Sequence, residues 1–281
     1  MLSCQLMGGL GNQLFQIFSA ISYAMRSNNA FTFLNVSQLD SKRHTYWNTI
    51  CSSLKPFLQD TIHFSTTIRE NKFRYKDLNV DAMCGQQVCI SGYFQSYKYF
   101  SSNYNVIKKL LRIDEQRTKV CTKLQIEPNT VSIHFRLGDY KGIQHVHPLM
   151  PYEYYKESIH LVSNKCNDVK NAIYFCEDED VVQVSDTVRK LSLEFPFIQF
   201  VRAPSELEDW EQMLLMSCCT HNVIANSSFS WWGAYFNPLQ DKIVCYPSVW
   251  FGPQLSNPET IDFHDTSDLC PDSWNRVLVT I

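Results

Sequence analysis

Four polar clusters in this sequence each follow a short apolar run: Gly8–Gln13 (GGLGNQ), His134–Tyr140 (HFRLGDY), Cys176–Asp180 (CEDED) and Asn226–Trp232 (NSSFSWW). The second is the sharpest. His134 and Arg136 alternate at a strand end, so both point to one face. A guanidinium on a core strand must find an anion, because an unpaired buried charge is costly. Its planar fork suits a diphosphate better than a lysine would. The competing reading is an internal salt bridge to Asp139.

The Gly-rich cluster has three readings. A dinucleotide fingerprint needs G-x-G-x-x-G, and Gly9-Leu10-Gly11 supplies its first half, but the third glycine position holds Leu14. A tight turn needs the glycines only for positive φ. A loop at a helix N-terminus would instead turn free N–H groups, with the Asn12 and Gln13 amides, toward an anionic group. The serine cluster couples an apolar strand to a helix start. There Ser227, Ser228 and backbone N–H groups can form an anion nest, or Ser can simply cap a helix above two packing tryptophans. In the acidic cluster most carboxylates are expected to be solvated or to cap the next helix. One of them can accept from guanine N1–H and its exocyclic amine.

The elements that must position these clusters alternate along the chain. Ser3–Met7 reads as a strand running into the glycines. After it Leu14, Phe18, Ile21 and Met25 recur at helical spacing, with Phe15 and Ala24 widening the face. Gln87–Phe100 reads as a strand ending at Gly92 and then an aromatic turn, and 103–113 has helical spacing. A turn at 127–129 opens a second unit. In it strands before His134, Glu177, Ala203, Asn226 and Ser248 alternate with helices, one of them started by a Ser205–Glu208 capping box. Such alternation predicts an α/β fold with parallel sheets. Ligands then sit at the carboxyl ends of the strands, where all four clusters fall.

Composition narrows the function. The chain has 281 residues, enough for two ordinary domains. A net charge of −3, with no basic stripe, argues against nucleic acid as a partner. The eleven cysteines include an adjacent pair, Cys218-Cys219, and no CxxC, so most read as buried small hydrophobes in a reducing compartment. His145 and His147 lack partners at zinc spacing, and no structural metal is expected. No apolar run is long enough to span a bilayer. No basic segment precedes an apolar one at the N-terminus, so the expectation is a soluble, cytoplasmic protein.

Taken together, QLMGGLGNQLFQ, GYFQSYKYF, VSIHFRLGDY, YYKESI, MLLMSCCTHNVIANSSFSWWGAYF and DKIVCYPSVWF resemble the family 11 glycosyltransferases, the α-1,2-fucosyltransferases. The motifs keep the family's order from Gln5 to Phe251. The resemblance implies a GT-B-type fold, two Rossmann-like domains facing across a cleft: 1–126 on the acceptor side and 127–281 binding GDP-fucose. It implies inverting transfer of L-fucose from GDP-β-L-fucose to a sugar hydroxyl, the 2-OH of a galactoside, with no metal and no other cofactor.

Carried over by motif, Arg136 is the diphosphate-binding arginine and Asp139 the acid of G-D-Y. Asn12 is the asparagine of G-N-Q, and these three form the expected catalytic group. Gly9, Gly11, Gln13, His134, Asp178, Asn226, Ser227 and Ser228 are expected around the donor. At Asp178 the family usually shows a serine and two acids, whereas this chain has Cys176-Glu177-Asp178. His145, His147 and Tyr154 are candidates for the acceptor side, and the segment 142–150 is expected to shape acceptor choice. Asp139, His145 and His147 remain open as general base. Rival readings are the same fold making another linkage, a non-catalytic glycan-binding protein and a nicotinamide-dependent oxidoreductase.

Overall fold

The computed structural model describes residues 1–40, 42–166 and 168–280. The chain forms two compact units: Met1–Gln116 with Phe263–Pro271, and Arg117–Asp262 with Asp272–Ile281.

In the first unit, strand β1 (Leu2–Cys4) is buried along its length and leads through the glycines into helix α1 (Leu10–Arg26). Leu14, Phe15, Phe18, Ile21 and Ala24 are sealed in the core as their spacing predicts, each worth about 1.5–3 kcal/mol for the larger apolar groups. Met25 departs from that expectation: it is 42% exposed in the last turn. Strands β2 (Phe33–Leu34), β3 (Leu58–Gln59), β4 (Thr66–Arg69) and β5 (Val88–Ser91) follow. They pair in the orders β1-β5-β4 and β2-β3, all parallel, and a single parallel bridge from Leu2 to Phe31 joins the two sets. The helical stretch expected at 103–113 is two helices, α2 (Tyr104–Leu110) and α3 (Ile113–Leu124), broken at Arg112, whose φ is 55°. The chain passes between units inside α3. The turn after 126, expected to mark the boundary, only ends the connection to the next strand.

The second unit is built on one six-stranded sheet. Its strands are β6 (Thr130–His134), β7 (Asn171–Phe175), β8 (Gln199–Arg202), β9 (His221–Val223), β10 (Val244–Pro247) and β11 (Asn275–Val277). The order β11-β10-β9-β6-β7-β8 is parallel throughout. Helices α4 (Tyr152–Lys165), α5 (Val181–Glu194), α6 (Asp209–Cys218) and α7 (Ser228–Tyr235) fill the crossovers. Val131, Ile133, Ala172 and Val223 from the strands pack with Tyr154, Ile159, Val188 and Leu191 from the helices. Two details differ from expectation. The capping box belongs to Glu208 and Glu211, because α6 begins at Asp209 rather than after Ser205. Strand β11, too short and polar to show a period, closes the sheet.

The strand order matters for the site. The chain runs outward through β6, β7 and β8, then returns to the other side of β6 for β9, β10 and β11. The switch of direction lies between β6 and β9. Ligand crevices in open parallel sheets form at the carboxyl ends of strands at such a switch. Both units are thus α/β with parallel sheets. Among the described residues no helix is long and apolar enough to cross a membrane.

Candidate functional site

The two strands at the switch end in the two most specific motifs. His134 closes β6 and is 7% exposed. Burial, and then the charge of Arg136, pushes its pKa down to about 3, so its ring is neutral. Its ring centre lies 5.5 Å from that of Phe229 in the first turn of α7. His134 Nδ1 is buried without a hydrogen-bond partner among the described residues.

Arg136 emerges two residues later with its side chain 22% exposed. One guanidinium nitrogen meets Asp139 Oδ1 and the other meets Glu177 Oε1. Its Cζ stands 5.0 Å from the ring centre of Tyr140. Burial lowers the arginine's pKa, but the charges of Glu177 and Asp139 outweigh it and the net direction is up. The internal salt bridge to Asp139 is therefore present, and Glu177 adds a second acid that sequence reasoning missed. Sheet register explains Glu177. His134 pairs with Phe175, so two residues further along both chains Arg136 faces Glu177. The same register logic separates Asp178 from Arg136. Asp178 instead pairs with Arg202 at the end of β8.

Gly138 makes this arrangement possible. Its φ is +39°, and a Cβ there would stand 2.6 Å from Glu177 Oε2. Its N–H donates to Asp180 Oδ2 at 2.8 Å. Asp180 is fully buried, with Lys141 Nζ 2.5 Å away.

Across the switch, Ser227 caps α7, its Oγ accepting from Phe229 N–H at 3.3 Å. Ser228 is half-buried at the first position of the helix. Tyr140 connects the two motifs. Its hydroxyl donates to the Asn226 carbonyl at 3.4 Å, its ring stacks on His147 at 4.5 Å, and burial pushes its pKa up to about 12.

Three of the expected ligand contacts make hydrogen bonds within the fold. Asn226 is buried, and its amide donates to the Pro148 and Trp250 carbonyls at 3.0 and 3.1 Å, so it ties loops together. Tyr154 is a core residue whose hydroxyl donates to the Ile224 and Cys245 carbonyls, not a group facing an acceptor. Gln13 is buried, and its amide donates to the Gly8 and His44 carbonyls at 3.0 and 2.9 Å. It holds the glycine loop instead of reaching out of it. The signal missed in each case was burial, which a polar residue type conceals in a sequence. His145 is exposed, and its carbonyl accepts from Gln254 N–H at 3.0 Å.

The first unit presents its own strand-end loop. The residue that needs glycine there is Gly8, with φ +73° and a virtual Cβ 2.4 Å from Asn12 Nδ2. Gly9 is the N-cap of α1 in extended conformation, with open space where its Cβ would be. Gly11 is buried in the first turn of the helix. Asn12 Oδ1 accepts from Gln95 Nε2 at 2.8 Å. Among the described residues no three His, Cys, Asp or Glu side chains converge as a metal-ligand set.

Comparison with known proteins agrees with these motifs. Residues 5–254 match the family described as Glycosyl transferase family 11. An Escherichia coli protein named O-antigen biosynthesis glycosyltransferase WbnK is 29% identical, over 93% of this chain and 98% of its own length. An E. coli alpha-1,2-colitosyltransferase is 25% identical, over 97% of each. Among solved structures, E. coli ADP-heptose LPS heptosyltransferase II aligns with a TM-score of 0.49 and 10% identity, over 99% of this chain and 90% of that one. The chain belongs to glycosyl transferase family 11 and is a glycosyltransferase.

Proposed function

We propose that this enzyme transfers L-fucose from GDP-β-L-fucose, with inversion, to the 2-OH of a galactoside. The observation that carries the reading is Arg136. A partly exposed guanidinium stands at the switch of the sheet, with Tyr140 linking it to the strand end that opens α7. An arriving diphosphate exchanges with Asp139 and Glu177 for the arginine fork. Ser228 and the first N–H groups of α7 offer further donors. As the sugar leaves, negative charge builds on the diphosphate. Fixed donors of this kind are each worth about 3 kcal/mol in the transition state, which is why no metal is invoked. His134, neutral and buried, supports the strand end and adds no competing charge.

Once the diphosphate holds Arg136, Asp139 is released to act as base toward the acceptor hydroxyl. A base so placed contributes about 10²–10⁴-fold. Asp178, oriented by Arg202, is the carboxylate assigned to the guanine edge. Within the first unit, Asn12 and Gly9 at the helix N-terminus are assigned to an anionic group.

The donor sugar has a second reading. One relative is named for colitose, which is L-fucose without its 3-hydroxyl. The test is GDP release with GDP-fucose and GDP-colitose against a panel of galactosides, followed by NMR of the product linkage. Release with GDP-fucose and an α-1,2 product are expected. Release with GDP-colitose alone reassigns the donor, and no release with either ends the proposal. Turnover is expected to persist in EDTA; loss restored by Mg²⁺ or Mn²⁺ would overturn the metal-free reading.

A further inference from the structure

Asp180 carries a carboxylate with no exposed surface. It is the N-cap of α5, a position where an aspartate ordinarily accepts from the free N–H groups of its own helix. Its side chain makes no such cap bond. Oδ2 instead accepts from Gly138 N–H at 2.8 Å, 42 residues back in the chain, and Oδ1 lies 2.5 Å from Lys141 Nζ. Both partners belong to the single turn Gly138–Gly142, which also carries Asp139 and Tyr140.

That turn is joined to the loop after β7 at successive points. Phe135 N–H donates to the Phe175 carbonyl at 2.9 Å, one residue past the end of β6. Arg136 then meets Glu177, and Gly138 meets Asp180. Asp180 N–H donates to the Glu177 carbonyl at 3.1 Å, so the two acids sit in one closed turn. Their surroundings differ. Glu177 is exposed and can swing away when an anion takes Arg136, whereas Asp180 is sealed in place. Taking a carboxylate out of water offsets much of what its ion pair returns, so a buried pair is weak evidence for stability. What this one fixes is position. The Gly138 amide lies in the chain between Arg136 and Asp139, and a shift there moves the guanidinium away from the acid. Glycine, with no Cβ, resists such a shift least of all residues.

We propose that Asp180 is a positioning residue: through Gly138 N–H it fixes the turn that keeps Arg136 and Asp139 aligned for the donor diphosphate. The proposal rests on the reading of Arg136 as the diphosphate-binding arginine. Asp180 acts on the donor only through the backbone of the turn.

Three variants of the full chain separate position from stability. Asp180→Leu fills the buried volume without an acceptor, and Asp180→Ala vacates it. Asp180→Asn keeps an oxygen for Gly138 N–H, while the exposed Lys141 turns to solvent. Hydrogen exchange of the Arg136 Nε–H is followed by ¹⁵N NMR without donor, and Arg136→Lys identifies the signal by its disappearance. Exchange is expected to be faster than wild type in Asp180→Leu and Asp180→Ala, well below their melting temperatures, and close to wild type in Asp180→Asn. In turnover Asp180→Leu is expected to lower kcat/KM for GDP-fucose about 10²-fold, the cost of a misplaced binding group, and to leave the acceptor KM unchanged. Asp180→Asn should recover about tenfold of that loss, as for one regained hydrogen bond. Wild-type exchange in Asp180→Leu and Asp180→Ala, an Asp180→Asn enzyme no better than Asp180→Leu, or failure of both Asp180→Leu and Asp180→Ala to fold would each overturn the assignment. The exchange measurement needs no donor, so absence of turnover with GDP-fucose counts against the transferase reading and leaves the Asp180 result standing.

Discussion

Arg136 is held by Asp139 and Glu177, so any anion that reaches it must displace carboxylates and not only water. That exchange needs two parallel N–H donors from one rigid plane, which lysine lacks. Arg136→Lys is expected to lower kcat/KM with GDP-fucose by about 10²-fold or more, with little change in melting temperature. Steady-state kinetics beside a thermal melt check this, and near-wild-type turnover would remove Arg136 from its assigned role. His134 makes a different prediction. Its folded pKa, about 3, lies below its ordinary value. Below that ordinary value the unfolded chain takes up a proton that the folded chain refuses. Stability from this group is thus complete above pH ~6.5 and falls as pH drops toward 3, at up to about 1.4 kcal/mol per pH unit. Urea unfolding of the wild type and His134→Asn at pH 7.5, 6.5 and 5.5 should show a shallower slope in the variant. His221, whose pKa burial also lowers, adds the same trend to both proteins.

At the scale of elements, the two glycine turns divide structural from ligand-facing positions. Gly8 carries the positive φ and the close approach to Asn12, whereas Gly9 carries neither. Gly8→Ala should therefore destabilise the protein by about 1–3 kcal/mol, and Gly9→Ala by less than about 1 kcal/mol. Equal losses of stability in the two variants would contradict the turn geometry. Much of this level was legible beforehand. Long periodic runs announced α1, α4 and α5, and alternation announced parallel sheets. What failed was short or relational. β11 has three residues and no period. The break at Arg112 is a single left-handed residue inside a helical pattern. The pairing of Arg136 with Glu177 depends on the register between β6 and β7, which no local pattern encodes. Strands β2 and β3 were invisible because residues 26–80 have weak periodicity and each strand has two residues.

At the scale of the whole chain, the first unit borrows its last piece from near the C-terminus. Residues Phe263–Pro271 belong with Met1–Gln116. Phe73 stacks on His264 with ring centres 4.9 Å apart, and Ser96 Oγ donates to the Asp268 carbonyl at 2.5 Å. Asp268 also pairs with Lys98, and Arg74 Nε lies 3.7 Å from it. Its side chain is mostly covered, so Asp268→Ala is expected to cost about 1 kcal/mol. It should also speed proteolytic nicking near 263–271, measured by limited trypsin digestion. Unchanged digestion would mean that the apolar and backbone contacts hold the segment alone. The borrowed segment also orders events at birth. Domains generally fold as they leave the ribosome, N-terminal first. Here the N-terminal unit must wait for a strap that is made only after the whole stretch Arg117–Asp262 of the second unit. Its closure comes after the second unit has been made, and a chain that stalls before Phe263 leaves Phe73 and its neighbours uncovered for chaperones to find.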